Sequence, residues 1–222
     1  MSSQVIQIVI LAGIALFLVL QLRKVLGTRS GYEPPKSVEP NGTRRTANEG
    51  PDLEVIDGGG EDHDISTFVD PQSDAGQALA SMKRREPSFS VGEFTGGARM
   101  AYEMILMAFE GGDLTDVEGF LSDDVKQSFQ GAIDDRANQG LSIDANFIGV
   151  REVKIRAAEL NDETGESSVT VRFVGELTSV VRDLEGSIVE GDPNEIKRQT
   201  DTWTFARTMG ADDPNWVLVA TG

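Results

Sequence analysis

Three rhythms of apolar and polar positions follow one another along this chain of 222 residues. The first is an unbroken apolar run. Residues 5–22 read VIQIVILAGIALFLVLQL, without a charge and with only Gln7 and Gln21 strongly polar. As a helix the run spans about 27 Å at 1.5 Å per residue, close to the roughly 30 Å hydrocarbon core of a bilayer. Arg23 and Lys24 extend it through Leu26 if they snorkel. A cleavable signal peptide would carry a basic n-region and a small-residue cleavage site. Nothing before Arg23 is charged except the amino terminus, and the run ends in Leu-Arg-Lys. The expectation is an uncleaved single-pass anchor. Arg23, Lys24, Arg29, Lys36, Arg44 and Arg45 all follow the span and no Lys or Arg precedes it. The positive-inside bias puts the N-terminus outside and the rest in the cytoplasm, at the inner membrane.

Residues 27–87 have no rhythm. Sparse apolar positions lie among Gly-Thr-Arg-Ser-Gly, Glu-Pro-Pro, Pro-Asn-Gly and Asp-Gly-Gly-Gly. Such a stretch buries too little surface to offset chain entropy, so it reads as a flexible linker of roughly 40–50 Å end to end. Near its end stand Lys83, Arg84 and Arg85, either a solvated basic turn or a contact with anionic lipid.

From residue 88 a 3.6-residue period sets in. Ala98, Ala101, Ile105, Ala108 and Phe109 share one helical face. Met100, Met104 and Met107 form a second stripe, which either fills core gaps or adapts to partners. Asp113 is placed to cap a short helix carrying Leu114, Val117 and Leu121. Ser122 caps the next, with Asp123 and Asp124 at the positive end of its dipole. Val125, Phe129, Ala132 and Ile133 line its apolar face, and Gly140 stops it.

Beyond Gly140 the period drops to two. Val153, Ile155 and Ala157 alternate with Lys154 and Arg156. After an Asn161–Gly165 turn, Val169, Val171 and Phe173 alternate with Thr170 and Arg172, which predicts an antiparallel hairpin. A further strand is expected over residues 196–208 and a last one over 216–220. Helices followed by a strand meander predict an α+β domain over residues 88–222, with helices on one face of a curved antiparallel sheet.

Charge and residue chemistry narrow the function. Of the 37 acidic and 20 basic residues, 25 and 11 fall in residues 88–222, so the domain is strongly acidic and a nucleic-acid partner is not expected. With no cysteine, and His63 the one histidine, no thiolate, zinc or histidine-based catalytic set can be assembled. No cofactor, metal or catalytic residue is assigned. Trp203 and Phe205 share a strand face, as do Trp216 and Leu218. Together with Tyr102 and Phe109 they either line an apolar pocket or form ordinary core. Arg207 lies on the face of Trp203 and Phe205 and needs a partner if buried, with Glu103 or Glu110 as candidates.

Gly97-Ala98-Arg99-Met100-Ala101-Tyr102, Ala108-Phe109-Glu110-Gly111-Gly112-Asp113, Phe120-Leu121-Ser122, Thr170-Val171-Arg172-Phe173, Trp203-Thr204-Phe205-Ala206-Arg207 and Pro214-Asn215-Trp216 are spaced as in Tim44-like domains. The aromatic-rich ending is the most specific of these. Over about residues 88–222 the chain resembles that family, and its anchor resembles the bacterial members. The resemblance implies a cone-shaped fold related to nuclear transport factor 2 and an inner-membrane role in protein translocation or envelope assembly. Mitochondrial relatives tether an Hsp70 chaperone to the import channel. This chain lacks their long chaperone-binding N-terminal region.

The expected function is therefore a membrane-tethered adaptor, not an enzyme, with a translocase component, chaperone or unfolded chain as partner. Two alternatives stand beside it. One is an isomerase- or dehydratase-type enzyme using a buried Asp144 or Asp201 as general base. The other is a secretion-system scaffold whose domain faces the periplasm.

Overall fold

The computed structural model describes residues 62–222. The expected anchor over 5–22 lies outside them. Among the described residues no helix is long and apolar enough to cross a membrane.

The first helices occupy ground expected to be linker. A short α1 (His63–Ser66) and α2 (Asp74–Arg85) precede the long α3 (Val91–Gly111). Ile65, Leu79 and Met82 are buried in the same core as α3 and the sheet. The linker therefore does not run to residue 87. What composition hid is a polar segment fixed by a few specific contacts. The Asp64 carboxylate accepts the backbone N–H groups of Val91 and Gly92 at 2.8 and 2.9 Å, which seats it on the positive end of α3. Lys83 of α2 closes on Asp62 and Asp64 at 2.8 and 2.9 Å. Gly76 is required by close approach, since a Cβ there would lie 2.3 Å from the Asp70 carbonyl oxygen.

Each longer helix starts at a serine. Ser73, Ser90 and Ser122 accept from Gly76, Glu93 and Val125, as the preference for small oxygen side chains at that position dictates. Asp113 accepts the Thr115 N–H, and the short helix beside it is a 3-10 helix, Thr115–Phe120. Helix α4 (Asp123–Asn138) follows, and Gly140 beyond it has φ +70.

Five antiparallel strands complete the domain: β1 (Ser142–Leu160), β2 (Glu166–Arg182), β3 (Ile188–Gly191), β4 (Lys197–Thr208) and β5 (Val217–Thr221). Their order is β1-β2-β4-β5, and β3 pairs with β2 beyond the end of β4. Val169, Val171 and Phe173 of β2 are fully buried, and Trp203, Phe205 and Leu218 extend that layer under Val91, Phe94, Ala98, Tyr102 and Ile105 of α3. Strand β1 shifts register at three points, and such bulges bend a strand and increase its twist. One of them, between Ile155 and Ala157, corrects the expected alternation: Ala158 is buried and Ala157 is exposed.

Candidate functional site

The expected pocket residues separate into three places. Tyr102 and Trp203 are core. Tyr102 stacks on Phe173 with ring centroids 4.5 Å apart and packs against Trp203 at 4.8 Å. Its hydroxyl donates to Asp201 at 2.5 Å, which satisfies the one polar atom of a side chain with no exposed surface. Burial first, and then the Asp201 carboxylate, push the Tyr102 hydroxyl well above the ordinary tyrosine range. Phe109 lies elsewhere, 4.7 Å from Phe129, with the Arg136 guanidinium over its ring at 5.8 Å. Arg136 also donates to the carbonyls of Phe109 and Glu110 at the end of α3. Burial holds the Glu110 carboxyl above its usual range despite Arg136 and Lys197 nearby.

Phe205 and Arg207 line a groove of about 580 Å³ between the first half of α3 and the segment leading into β5. Phe94, Met100, Met104, Phe120 and Trp216 form most of its apolar lining. Met100 and Met104 are 64% and 46% exposed. Met100 and Met104 are therefore on the surface and do not fill the core. Phe94 and Trp216 meet at 4.7 Å in an edge-on contact, with Phe89 behind Trp216 at 5.9 Å. Trp216 is half-buried and forms a wall of the groove.

Gly97 lies among the lining residues in the middle of α3. A Cβ there would meet nothing within 4 Å. Interior glycine costs a helix roughly 0.5–1 kcal/mol relative to alanine, and no contact within the domain requires it.

The polar end of the groove is built on one ion pair. Arg207 places its Nη2 2.6 Å from both carboxylate oxygens of Glu86, which also accepts the Gly210 N–H at 2.8 Å. The expected partners Glu103 and Glu110 are not used. The hydrogen bond from Arg207 chiefly holds the Glu86 carboxyl below its ordinary range.

The basic triplet, read from the sequence as a solvated turn or a lipid contact, is largely engaged within the fold. Lys83 is held by Asp62 and Asp64. Arg85 donates to the carbonyls of Met209 and Asp162. Arg84 remains exposed, with a hydrogen bond to Ser81. Neither carboxylate considered as a general base lines the groove. Asp144 is exposed beside Arg182 at 3.3 Å, and Asp201 is occupied by Tyr102 and Gln199. Among the described residues no group of acids and histidine is placed to hold a metal ion.

The groove was only half legible in the sequence. Phe205 and Arg207 were found from strand alternation, whereas Phe94, Gly97, Phe120 and Glu86 were missed. The methionine stripe was the available signal. The model of the Tim44-like domain matches residues 75–222. The chain belongs to the Tim44-like domain family. The matched span opens within α2, ahead of residue 88, where the 3.6-residue period sets in. No curated protein matches the chain. Among solved structures, the crystal structure of the intermembrane space region of the chloroplast protein ARC6 is similar at 13% identity, over 68% of this chain and 97% of that one, with a TM-score of 0.35.

Proposed function

We propose that this Tim44-like protein is a membrane-anchored adaptor whose groove receives an apolar stretch of a protein partner at the inner membrane, in protein translocation or envelope assembly. The observation that carries the reading is the groove's lining. Flexible, exposed Met100 and Met104 line one opening together with rigid Phe94 and Trp216 and the Gly97 backbone. Methionine adapts to varied apolar shapes, aromatic rings supply large contact area at low entropic cost, and a bare glycine admits close approach of a partner. The arrangement supports the cone-like fold class related to nuclear transport factor 2, with the opening used for binding.

The anchor expected over residues 5–22 and the basic flank after it put the domain on the cytoplasmic side, within reach of translocase components, chaperones or emerging chains. An enzyme reading would need an acid at the floor of an enclosed apolar pocket. Of the two acids that line the groove, Glu86 is committed to Arg207 and the Gly210 N–H and Glu93 is exposed on the first turn of α3, so binding is the better use of the site. The test is capture of partners by the full chain and by Met100→Glu/Met104→Glu. A charge pair in the groove is expected to abolish recovery of inner-membrane or chaperone partners without lowering the melting temperature. Recovery of the same partners by the variant would overturn the reading.

A further inference from the structure

All the sulfur of this chain is in its 6 methionines, since it has no cysteine. The fold sorts those among the described residues by access. Met82 and Met209 are 0% and 1% exposed in the core. Met107 is half-buried and does not line the groove. Met100 and Met104, 64% and 46% exposed, stand one turn apart on α3 and line the groove together. Residues at that spacing share a helix face. An oxidant arriving from water therefore meets both open thioethers in one place.

Hydrogen peroxide converts an accessible methionine thioether to a sulfoxide. The sulfur lone pair attacks one peroxide oxygen and the O–O bond breaks. The departing hydroxide takes the proton left on the transferred oxygen, so the products are the sulfoxide and water. Sulfur loses two electrons and the peroxide gains them. A flexible apolar tip thereby becomes polar and acquires a hydrogen-bond acceptor.

The side-chain donors of the groove lining are turned to the domain's own carboxylates. Ser88 and Arg207 donate to Glu86, Ser90 to Asp64 and the Asn215 amide to Asp213. The sulfoxide oxygens are left to water. An apolar stretch of a partner filling the groove would strip that water away without replacing its hydrogen bond, and an unmade bond to a buried acceptor is costly. In the free domain the same oxygens face solvent, outside the core. We propose that Met100 and Met104 are a reversible oxidation site through which peroxide closes the groove to its partner. The inference rests on the adaptor reading of the groove. Sulfoxide reductases, one for each sulfoxide epimer, reverse the step. With a dithiol as reductant they return thioether, disulfide and water.

The test uses the full chain in living cells. A diazirine-bearing phenylalanine derivative at Asn215, exposed on the groove, reports partner contact while both methionines stay in place. After a pulse of hydrogen peroxide, peptide mass spectrometry of the recovered chain is expected to find sulfoxide at Met100 and Met104 and none at Met82 or Met209. Adducts from position 215 should fade, with binding weakened about tenfold for each sulfoxide, the order of cost for a polar group buried without a partner. They should return once the pulse ends and the reductases act. Met100→Gln/Met104→Gln supplies a permanent polar pair and should show the loss without peroxide. In Met100→Leu/Met104→Leu the ratio of adducts with and without peroxide should not move. The oxidised and reduced chains should melt at the same temperature. Sulfoxide spread evenly over buried and exposed methionines, adducts that survive full oxidation at Met100 and Met104, an equal fall in the leucine variant, or a lowered melting temperature on oxidation would overturn the inference and leave the adaptor reading standing. Absence of adducts from position 215 before any peroxide would overturn the adaptor reading, and the inference with it.

Discussion

Arg207 of β4 and Glu86 at the end of α2 form the ion pair that joins the first helices to the last long strand, with Nη2 2.6 Å from both carboxylate oxygens. The two side chains are 8% and 17% exposed, and the Arg207 Nε has no hydrogen-bond partner. Among the described residues Glu86 is therefore the only side chain that balances a nearly buried guanidinium. Glu86→Ala is expected to destabilise the domain by about 3 kcal/mol or more, the range for leaving one member of a buried pair uncompensated. Glu86→Gln should cost less, because it keeps an acceptor. Denaturant unfolding of the two variants measures the difference.

A second prediction concerns acid. Burial alone would raise the Asp64 carboxyl, but the hydrogen bonds from Lys83, Gly92 and Val91 overcome it and bring the group from 3.8 to about 2. Glu86 is shifted in the same direction from 4.5, chiefly by Arg207. Both folded-state values lie below the unfolded ones, so their stabilisation is complete above the unfolded values and is lost as pH falls through the folded ones. Stability should decline from about pH 4.5 towards pH 2. Asp64→Asn removes its share, on the order of 2 kcal/mol at neutral pH, and should flatten the curve over that window. Thermal melts at a series of pH values read this directly.

Truncation sets the domain boundary. A chain beginning at residue 62 keeps Ile65, Leu79 and Met82 in the core, together with Asp64 on the start of α3. It should unfold cooperatively. A chain beginning at residue 88 loses all of these and Glu86, and should aggregate or melt without a sharp transition. The periodic pattern alone begins the domain at residue 88.

Why that segment was illegible is instructive beside what was legible. The change from a 3.6-residue to a two-residue period at Gly140, the Ser122 cap and the inward set Val169, Val171 and Phe173 all follow from local pattern, and all stand in the structure. Residues 62–87 bury only three large side chains, Ile65, Leu79 and Met82, and the helical period of α2 rests on two alanines beside them, Ala75 and Ala78 at i and i+3 before Leu79 and Met82 at i+4 and i+7, a faint signal among polar neighbours. Their order comes from non-local partners: Asp64 with the α3 N-terminus and Glu86 with Arg207, 121 residues away. Composition carries no trace of such contacts. The same limit applies at the groove. Helix α3 is apolar around most of its circumference, a pattern that predicts cover on most sides, yet Met100 and Met104 are left open.

The two tryptophans should part company. Trp203 is 4% exposed and packed by Tyr102, Phe173 and Phe205. Trp203→Ala is expected to cost about 3–5 kcal/mol, much of the 5–15 kcal/mol that holds a typical domain. Trp216 is half-buried on the groove wall. Trp216→Ala should destabilise less and impair partner binding more. Denaturant melts paired with partner capture decide the order.

The central claim is that the groove is where a partner binds, and photocrosslinking from inside it in living cells tests this most directly. A photoreactive phenylalanine derivative is placed at Met104, exposed on the groove, and separately at Ser128, exposed on α4. The account predicts discrete adducts with one or a few inner-membrane, chaperone or newly made proteins from position 104, lost when Gly97→Leu fills the open space over the helix, and none from position 128. Adducts of the same pattern and intensity from both positions, or adducts at 104 that persist in the Gly97→Leu background, would contradict it.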